Sequence, residues 1–85
     1  MTRFRVAVHI TPRRGILDPQ GKAVADALHS LNFTQVSDVR VGRFIVVDLD
    51  AASTDAARAD ARTMCEQLLA NPVTEDFDIA SVEHA

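Results

Sequence analysis

The run Leu17-Asp18-Pro19-Gln20-Gly21-Lys22-Ala23-Val24-Ala25-Asp26-Ala27-Leu28 decides how the rest of the chain is read. Asp18 has the chemistry of a helix N-cap, because its carboxylate can accept from the unpaired amides of a first helical turn. Pro19 then falls at the first helical position, where its fixed φ fits and its missing N–H costs nothing. Gly21 conflicts with this pattern, since glycine inside a helix costs about 0.5–1 kcal/mol relative to alanine. A compensating reason is therefore expected: close approach by another backbone, a ligand or a subunit.

Working outward, residues 3–10 alternate, with Phe4, Val6, Val8 and Ile10 on one face, which predicts a half-buried strand. Thr11-Pro12-Arg13-Arg14-Gly15 reads as a loop with two adjacent cations. The first helix should run from Pro19 to about Leu31, with Gly21, Val24, Ala25, Leu28 and Leu31 as its apolar stripe. Asn32 suits a left-handed cap, which places Phe33 where a Schellman ending brings an apolar residue toward Leu28. Residues 35–41 and 44–50 are β-rich and predict a hairpin turning at Gly42-Arg43, with a bulge near Ser37-Asp38. Ser53 or Thr54 should cap a second helix reaching about Ala70, with Ala57, Ala61, Met64, Cys65 and Leu68 on its buried face. Asn71-Pro72 ends it, because the residue before proline is driven out of the α region. Phe77, Ile79 and Ser81 predict a short last strand followed by a frayed Glu83-His84-Ala85 end. The order β-α-β-β-α-β predicts an α+β, ferredoxin-like sandwich in one domain spanning residues 1–85: an antiparallel sheet with two helices on one face.

Composition narrows the function. Eighty-five residues with four Phe, no Trp and no Tyr leave a core of Val, Ile, Leu and Ala. A core that thin favours oligomerisation or a large partner. Phe44 and Val46 lie opposite Ile45, Val47 and Leu49 on the strand they share, so a second subunit is expected to cover them. The net charge of −3 argues against nucleic acid or an anionic membrane as partner. No apolar run reaches membrane-spanning length and no signal-peptide pattern opens the chain, so a soluble, cytoplasmic protein is expected.

Catalytic chemistry is scarce. His9, His29 and His84 fall on a strand, a helix surface and a tail, none at metal-ligand spacing to another. Cys65, the single cysteine, lies on a buried stripe and reads as a small core hydrophobe. Asp48 and Asp50, and Glu75, Asp76 and Asp78, read as solvated carboxylates without an acid–base pairing. No phosphate-cradling glycine loop or nucleophile elbow is present. No catalytic, metal-binding or cofactor-binding residue is therefore expected in this chain, and the residues describe a binding or assembly module.

Leu17-Asp18-Pro19-Gln20-Gly21, Ala23-Val24, Ala27-Leu28, Val39-Arg40-Val41-Gly42-Arg43, Met64-Cys65-Glu66 and Leu68-Leu69-Ala70-Asn71-Pro72-Val73, in that order, resemble the PurS family. These are the small subunits of phosphoribosylformylglycinamidine synthase in de novo purine synthesis. Arg43 stands where the family commonly has lysine, Asn32 where it often has glycine, and Thr74 where it usually has an apolar residue. The resemblance implies a complex that converts formylglycinamide ribonucleotide, glutamine and ATP to formylglycinamidine ribonucleotide, glutamate, ADP and phosphate. It implies a PurQ-type glutaminase partner and a PurL-type synthetase partner, joined by this non-catalytic subunit, which assists ammonia transfer. ATP and magnesium would be used by the large subunit, and this chain would form a homodimer or homotetramer.

The partner surface expected on this basis comprises Asp18, Pro19, Gln20, Gly21, Arg40, Gly42, Arg43, Asn71 and Glu75, which sit at loops and element ends. Arg40 and Arg43 are the residues best suited to interface carboxylates. The homo-oligomer contact is expected at Phe44 and Val46. The alternative is a free-standing, ACT-like domain binding a small regulatory molecule, but Pro12-Arg13-Arg14 occupies the place of its glycine-rich turn. A small acylphosphatase-type enzyme would need a phosphate-cradling loop and an asparagine pattern that this sequence lacks.

Overall fold

Alternation in the first strand does what the sequence predicts. β1 (Thr2–Pro12) buries Phe4, Val6, Val8 and Ile10 at no more than 2% exposure, while Arg3, Arg5 and His9 face outward. The computed structural model describes residues 1–15 and 18–85. Leu17, which opens the family-like Leu17–Gly21 run, lies outside the described residues. β1 is the centre of a three-stranded sheet of order β2-β1-β3, antiparallel on both sides, with β2 at Arg43–Ala51 and β3 at Glu75–His84.

Two helices complete the chain. α1 (Pro19–Ser30) starts as expected: Asp18 caps it and Pro19 opens its first turn. It ends in a Schellman pair, in which the Phe33 amide donates to the Leu28 carbonyl at 2.9 Å and the Asn32 amide to that of His29 at 3.0 Å. Asn32 holds the left-handed conformation this ending requires, with φ of 74°. α2 (Thr54–Met64) is capped by the Ser53 hydroxyl, which accepts from the Ala56 amide at 3.1 Å. Ala57 and Ala61 are fully buried, and their small side chains let the α2 backbone lie close on all three strands.

The α+β class and the antiparallel sheet agree with the sequence reading and are compatible with a ferredoxin-like arrangement. The element order, however, is β-α-β-α-β. The hairpin across Gly42-Arg43 does not form: residues 36–42 carry no regular structure, and the strand begins at Arg43. Their backbone is drawn to the start of α1 instead. Asp18 Oδ2 accepts from the Val41 amide at 2.9 Å, and the Val39 carbonyl packs directly on Gly21. Gly42 lacks the positive φ of a hairpin turn. Its missing Cβ leaves room for the Ile10 carbonyl oxygen. The sheet order is therefore that of a ferredoxin-like sheet without the edge strand that would flank β2.

Three smaller departures are local. The last turn of α2 widens into a π-helix (Cys65–Leu69), with the Ala70 amide donating to the Cys65 carbonyl at 3.1 Å. The wider turn rotates Leu68 outward, to 82% exposure, and brings Leu69 against the core in the place predicted for Leu68. A bulge in β3 pairs Ile79 with Val8 and Ser81 with Ala7, so Val82, not Ser81, faces the core. The end of β3 is not frayed: Glu83 and His84 pair with Arg5 and Phe4, and the His84 ring stacks on Phe4 at 4.8 Å. The bulge expected near Ser37-Asp38 has no strand to sit in, because residues 36–42 carry no regular structure.

α1 does not join α2 on the sheet. With residues 31–42 it forms an arm beyond the sheet end where β1 finishes and β2 starts, in a molecule 52 × 25 × 14 Å across. The return segment runs back along the helix. His29 Nε2 donates to the Val36 carbonyl at 2.7 Å near the tip, and Val41 meets Asp18 at the base.

Candidate functional site

The family-like residues gather at the sheet end from which the arm departs, and most of them hold backbone in place. Asp18 Oδ1 accepts from the Gly21 amide at 3.1 Å while Oδ2 takes Val41, so one carboxylate joins the helix start to the return segment. The Val41 and Gly21 amides together hold the Asp18 carboxyl below its ordinary range. A Cβ on Gly21 would strike the Val39 carbonyl oxygen and the Asp18 carboxylate, which identifies the close approach that the glycine foretold. Pro19 and Gln20 stay exposed beside it.

A second cluster fixes the loop after α2. Arg43 Nη2 donates to Glu75 Oε1 at 2.7 Å and to the Leu69 carbonyl at 2.9 Å, and the same Glu75 oxygen accepts from the Asn71 amide at 2.8 Å. Asn71 Oδ1 accepts from the Val73 amide at 3.0 Å, closing an Asx turn around Pro72. Arg13 Nη2 reaches the Pro72 carbonyl at 2.8 Å, and its Nε lies 3.1 Å from Asp76. Among the described residues, Arg40 makes only long contacts, 3.4 Å to the Pro12 carbonyl and 3.7 Å to Asp38. The structure thus joins Arg43, Asn71 and Glu75, places Asp18 and Gly21 at a separate node, and sets Gly42 against β1.

With its backbone held this way, the loop presents Leu68 and Val73 to solvent at 82% and 74% exposure. The sequence reading missed both as surface residues. Val73 could have been found from its place in a proline-broken loop; Leu68 could not, because its orientation depends on the π turn. Beneath the loop, a cleft of about 410 Å³ is lined by Arg13, Arg62, Glu66, Glu75 and Phe77, with Cys65 at its base. Arg62 lies 5.7 Å over the Phe77 ring, and burial pushes the Cys65 thiol pKa up, away from a reactive thiolate. A groove of about 300 Å³ at the arm base is lined by Arg13, Arg14, Asp18, Lys22 and Arg40.

The outer sheet face divides into two halves. Near the arm, Phe44 and Val46 are 59% and 50% exposed, and His9 stacks on Phe44 at 4.8 Å. Farther along, Arg5 pairs with Asp48 at 2.9 Å and Arg3 with Asp50 at 2.8 Å. Asp48 and Asp50, read from the sequence as merely solvated, are therefore cross-strand partners. Among the described residues no group of three or more His, Cys, Asp or Glu is placed to hold a metal ion, and no helix is long and apolar enough to cross a membrane.

Comparison with known proteins agrees with this arrangement. Residues 5–83 match the family described as PurS, phosphoribosylformylglycinamidine (FGAM) synthase. The PurS subunit of Bacillus subtilis is 39% identical over 74 residues, covering 87% of each chain. That of Mycobacterium leprae is 44% identical over 75 residues, 88% of this chain and 91% of its own. Among solved structures, Thermus thermophilus PurS superposes with a TM-score of 0.84 at 35% identity, covering 98% of both chains. A chain of the Thermotoga maritima PurLQS structure superposes with a TM-score of 0.81 at 27% identity over 100% of both. With the family matched over residues 5–83, from within β1 to the last pairs of β3, the chain belongs to the PurS family of FGAM synthase subunits.

Proposed function

We propose that this chain is the bridging, non-catalytic subunit of its FGAM synthase, holding a PurQ-type glutaminase and a PurL-type synthetase together while ammonia passes between them. A subunit role in this enzyme of purine biosynthesis follows from family membership, which replaces the alternative of a free-standing ligand-binding domain. The Thermotoga maritima relative occurs in a PurLQS assembly, which supports the same two kinds of partner here. We assign ATP and magnesium to the synthetase partner, no cofactor to this chain, and a cytoplasmic location to the assembly.

The observation that carries the bridging role is how the polar side chains are used. His29 holds the return segment, His9 and His84 stack on phenylalanines, Cys65 is buried, and Arg13, Arg43 and Glu75 brace a loop. A chain whose polar groups shape its own surface is suited to docking rather than turnover. Pro19 and Gln20, Arg40, and the Asn71–Glu75 loop with Leu68 and Val73 form the surface we assign to the larger partners. Asp18, Gly21, Gly42 and Arg43 support it from behind. Phe44 and Val46 we assign to contact with a second copy of this chain.

The chemistry explains why a bridge is needed. Ammonia released into neutral water is mostly protonated, and ammonium is not a nucleophile. An enclosed path between the two active sites keeps it neutral and locally concentrated. The test is to assay glutamine-dependent and ammonium-dependent FGAM formation by the two larger subunits, with and without this chain. Restoration of the glutamine reaction with little change in the ammonium reaction is expected. Equal glutamine turnover without the chain overturns the bridging role.

A further inference from the structure

Cations are unevenly placed on this chain. Its net charge is −3, yet four of its nine Lys and Arg residues, Arg13, Arg14, Lys22 and Arg40, line the groove of about 300 Å³ at the arm base. They come from three separate stretches: the turn after β1, the first turn of α1 and the return segment. The cleft beneath the loop after α2 is the opposite case, with Arg13 and Arg62 facing Glu66, Glu75 and Asp76. Backbone contacts force the groove cations together. Arg40 Nη1 lies 3.4 Å from the Pro12 carbonyl, which sets that guanidinium beside the Arg13-Arg14 turn. The Val39 carbonyl packs on Gly21, which brings the return segment against the helix turn that carries Lys22. Grouping like charges is unfavourable unless an anion meets them.

The carboxylates at hand are poor partners for them. Asp18 lines the groove, but its two oxygens are taken by the Gly21 and Val41 amides. Asp38 stands 3.7 Å from Arg40 Nε, beyond hydrogen-bond length, with its side chain 62% exposed. Lys22 pairs with Asp26 on the open surface of α1, a contact worth about 0–1 kcal/mol. Arg13 is the exception, because the Pro72 carbonyl and Asp76 hold it from outside the groove. Arg14, Lys22 and Arg40 are the groups left to bind.

We propose that this groove binds a phosphate dianion, free or as the monoester of a sugar, between Arg14, Lys22 and Arg40. Donors converging from three stretches suit a tetrahedral dianion, whose oxygens point in as many directions. A carboxylate is planar, carries one charge and is satisfied by a single guanidinium fork. The volume lies at the lower end of the roughly 300–1,000 Å³ of ligand pockets. No aromatic side chain lines the groove, so a nucleobase finds nothing to stack on. Bound phosphate ties the turn after β1, the start of α1 and the return segment to one another, and so holds the arm in one orientation on the sheet. The inference goes beyond the bridging role and does not depend on it.

The test titrates the full chain with sodium phosphate near neutral pH, by calorimetry and by thermal denaturation, with sodium chloride holding the ionic strength constant. Saturable binding and a Tm that rises with phosphate are expected. Arg14 and Arg40 are both exposed, and the melting curve of each variant reports that it folds. Arg14→Ala and Arg40→Ala should each weaken binding about tenfold. Arg58→Ala removes the same charge from the exposed face of α2 and should change binding less than about twofold. Ribose-5-phosphate and tetraglutamate are titrated alongside. Equal affinity for phosphate and its ribose ester upholds the site as one for the phosphate group alone, and tighter binding of the ester upholds it as one for a sugar phosphate. Heat that grows without saturating, a loss with Arg58→Ala equal to that of the groove variants, or saturable binding of tetraglutamate alone overturns the proposal.

Discussion

The carboxylate of Asp18 accepts the amide of Val41 across 23 residues, at 2.9 Å, while its other oxygen caps the helix at Gly21. One side chain thus ends a loop, starts a helix and ties down the segment that returns from it. The link from local sequence to tertiary arrangement runs through this group.

Acid should loosen that clamp. Hydrogen bonds from Val41 and Gly21 lower the folded-state pKa of Asp18 from an ordinary value of 3.8. Its contribution to stability is therefore complete above about pH 4 and is lost as pH falls through the lowered value. The difference in urea midpoint between the native chain and Asp18→Asn should be constant near neutrality and close on acidification. A difference that persists unchanged to pH 2 would refute this role. Asp50, lowered by its bond and charge pairing with Arg3, contributes in the same direction in both proteins and cancels in the comparison.

Gly21→Ala reports on the close approach. Helix propensity alone favours alanine there by about 0.5–1 kcal/mol. Because the new Cβ would meet the Val39 carbonyl oxygen, overpacking of about 1–3 kcal/mol should prevail. Thermal denaturation should show a lower Tm, and a higher one would mean that the return segment does not lie on the helix.

Neighbouring leucines separate the π turn from an ordinary helix. Leu69→Ala should destabilise by about 2 kcal/mol, because Leu69 packs on the core, whereas Leu68→Ala should change stability by less than about 0.5 kcal/mol. An α-helical continuation would reverse the two, so denaturant titration of both variants decides the winding.

The pair Arg43 and Glu75 should couple. Their side chains are 53% and 19% exposed, so screening limits the ion pair itself to about 0.5–1 kcal/mol in a double-mutant cycle. Glu75→Ala should cost more than Arg43→Ala, because it also leaves the Asn71 amide without its acceptor. Amide exchange at Asn71 should quicken in the glutamate variant and change less in the arginine variant.

Much of the site was legible as anomaly. A glycine where the helix pattern wanted alanine pointed to a close approach, and the Val39 carbonyl makes it. Apolar residues on both faces of β2 pointed to an uncovered surface, and Phe44 and Val46 are exposed. The arginines resisted the same logic. Arg43 reads in sequence as a free interface cation, yet it binds Glu75 and the Leu69 carbonyl of its own chain. Nothing in a linear pattern tells a guanidinium's own acceptor from another subunit's, since the acceptor lies 26 to 32 residues away.

Legible in the residues alone are the features whose energetics close within about one turn or one strand pair. The caps at Asp18 and Ser53, the left-handed Asn32, the alternation of β1 and the alanine seam of α2 are of this kind. Each is settled by groups a few residues apart, so propensity and periodicity suffice. The tertiary structure alone decided the fate of residues 35–41, the winding at Cys65–Leu69 and the bulge opposite Ala7 and Val8. The β-rich segment had two possible hydrogen-bonding partners, the edge of β2 and the start of α1. The choice depended on a carboxylate 23 residues before Val41 and a glycine 18 before Val39, which folding brings into contact with them.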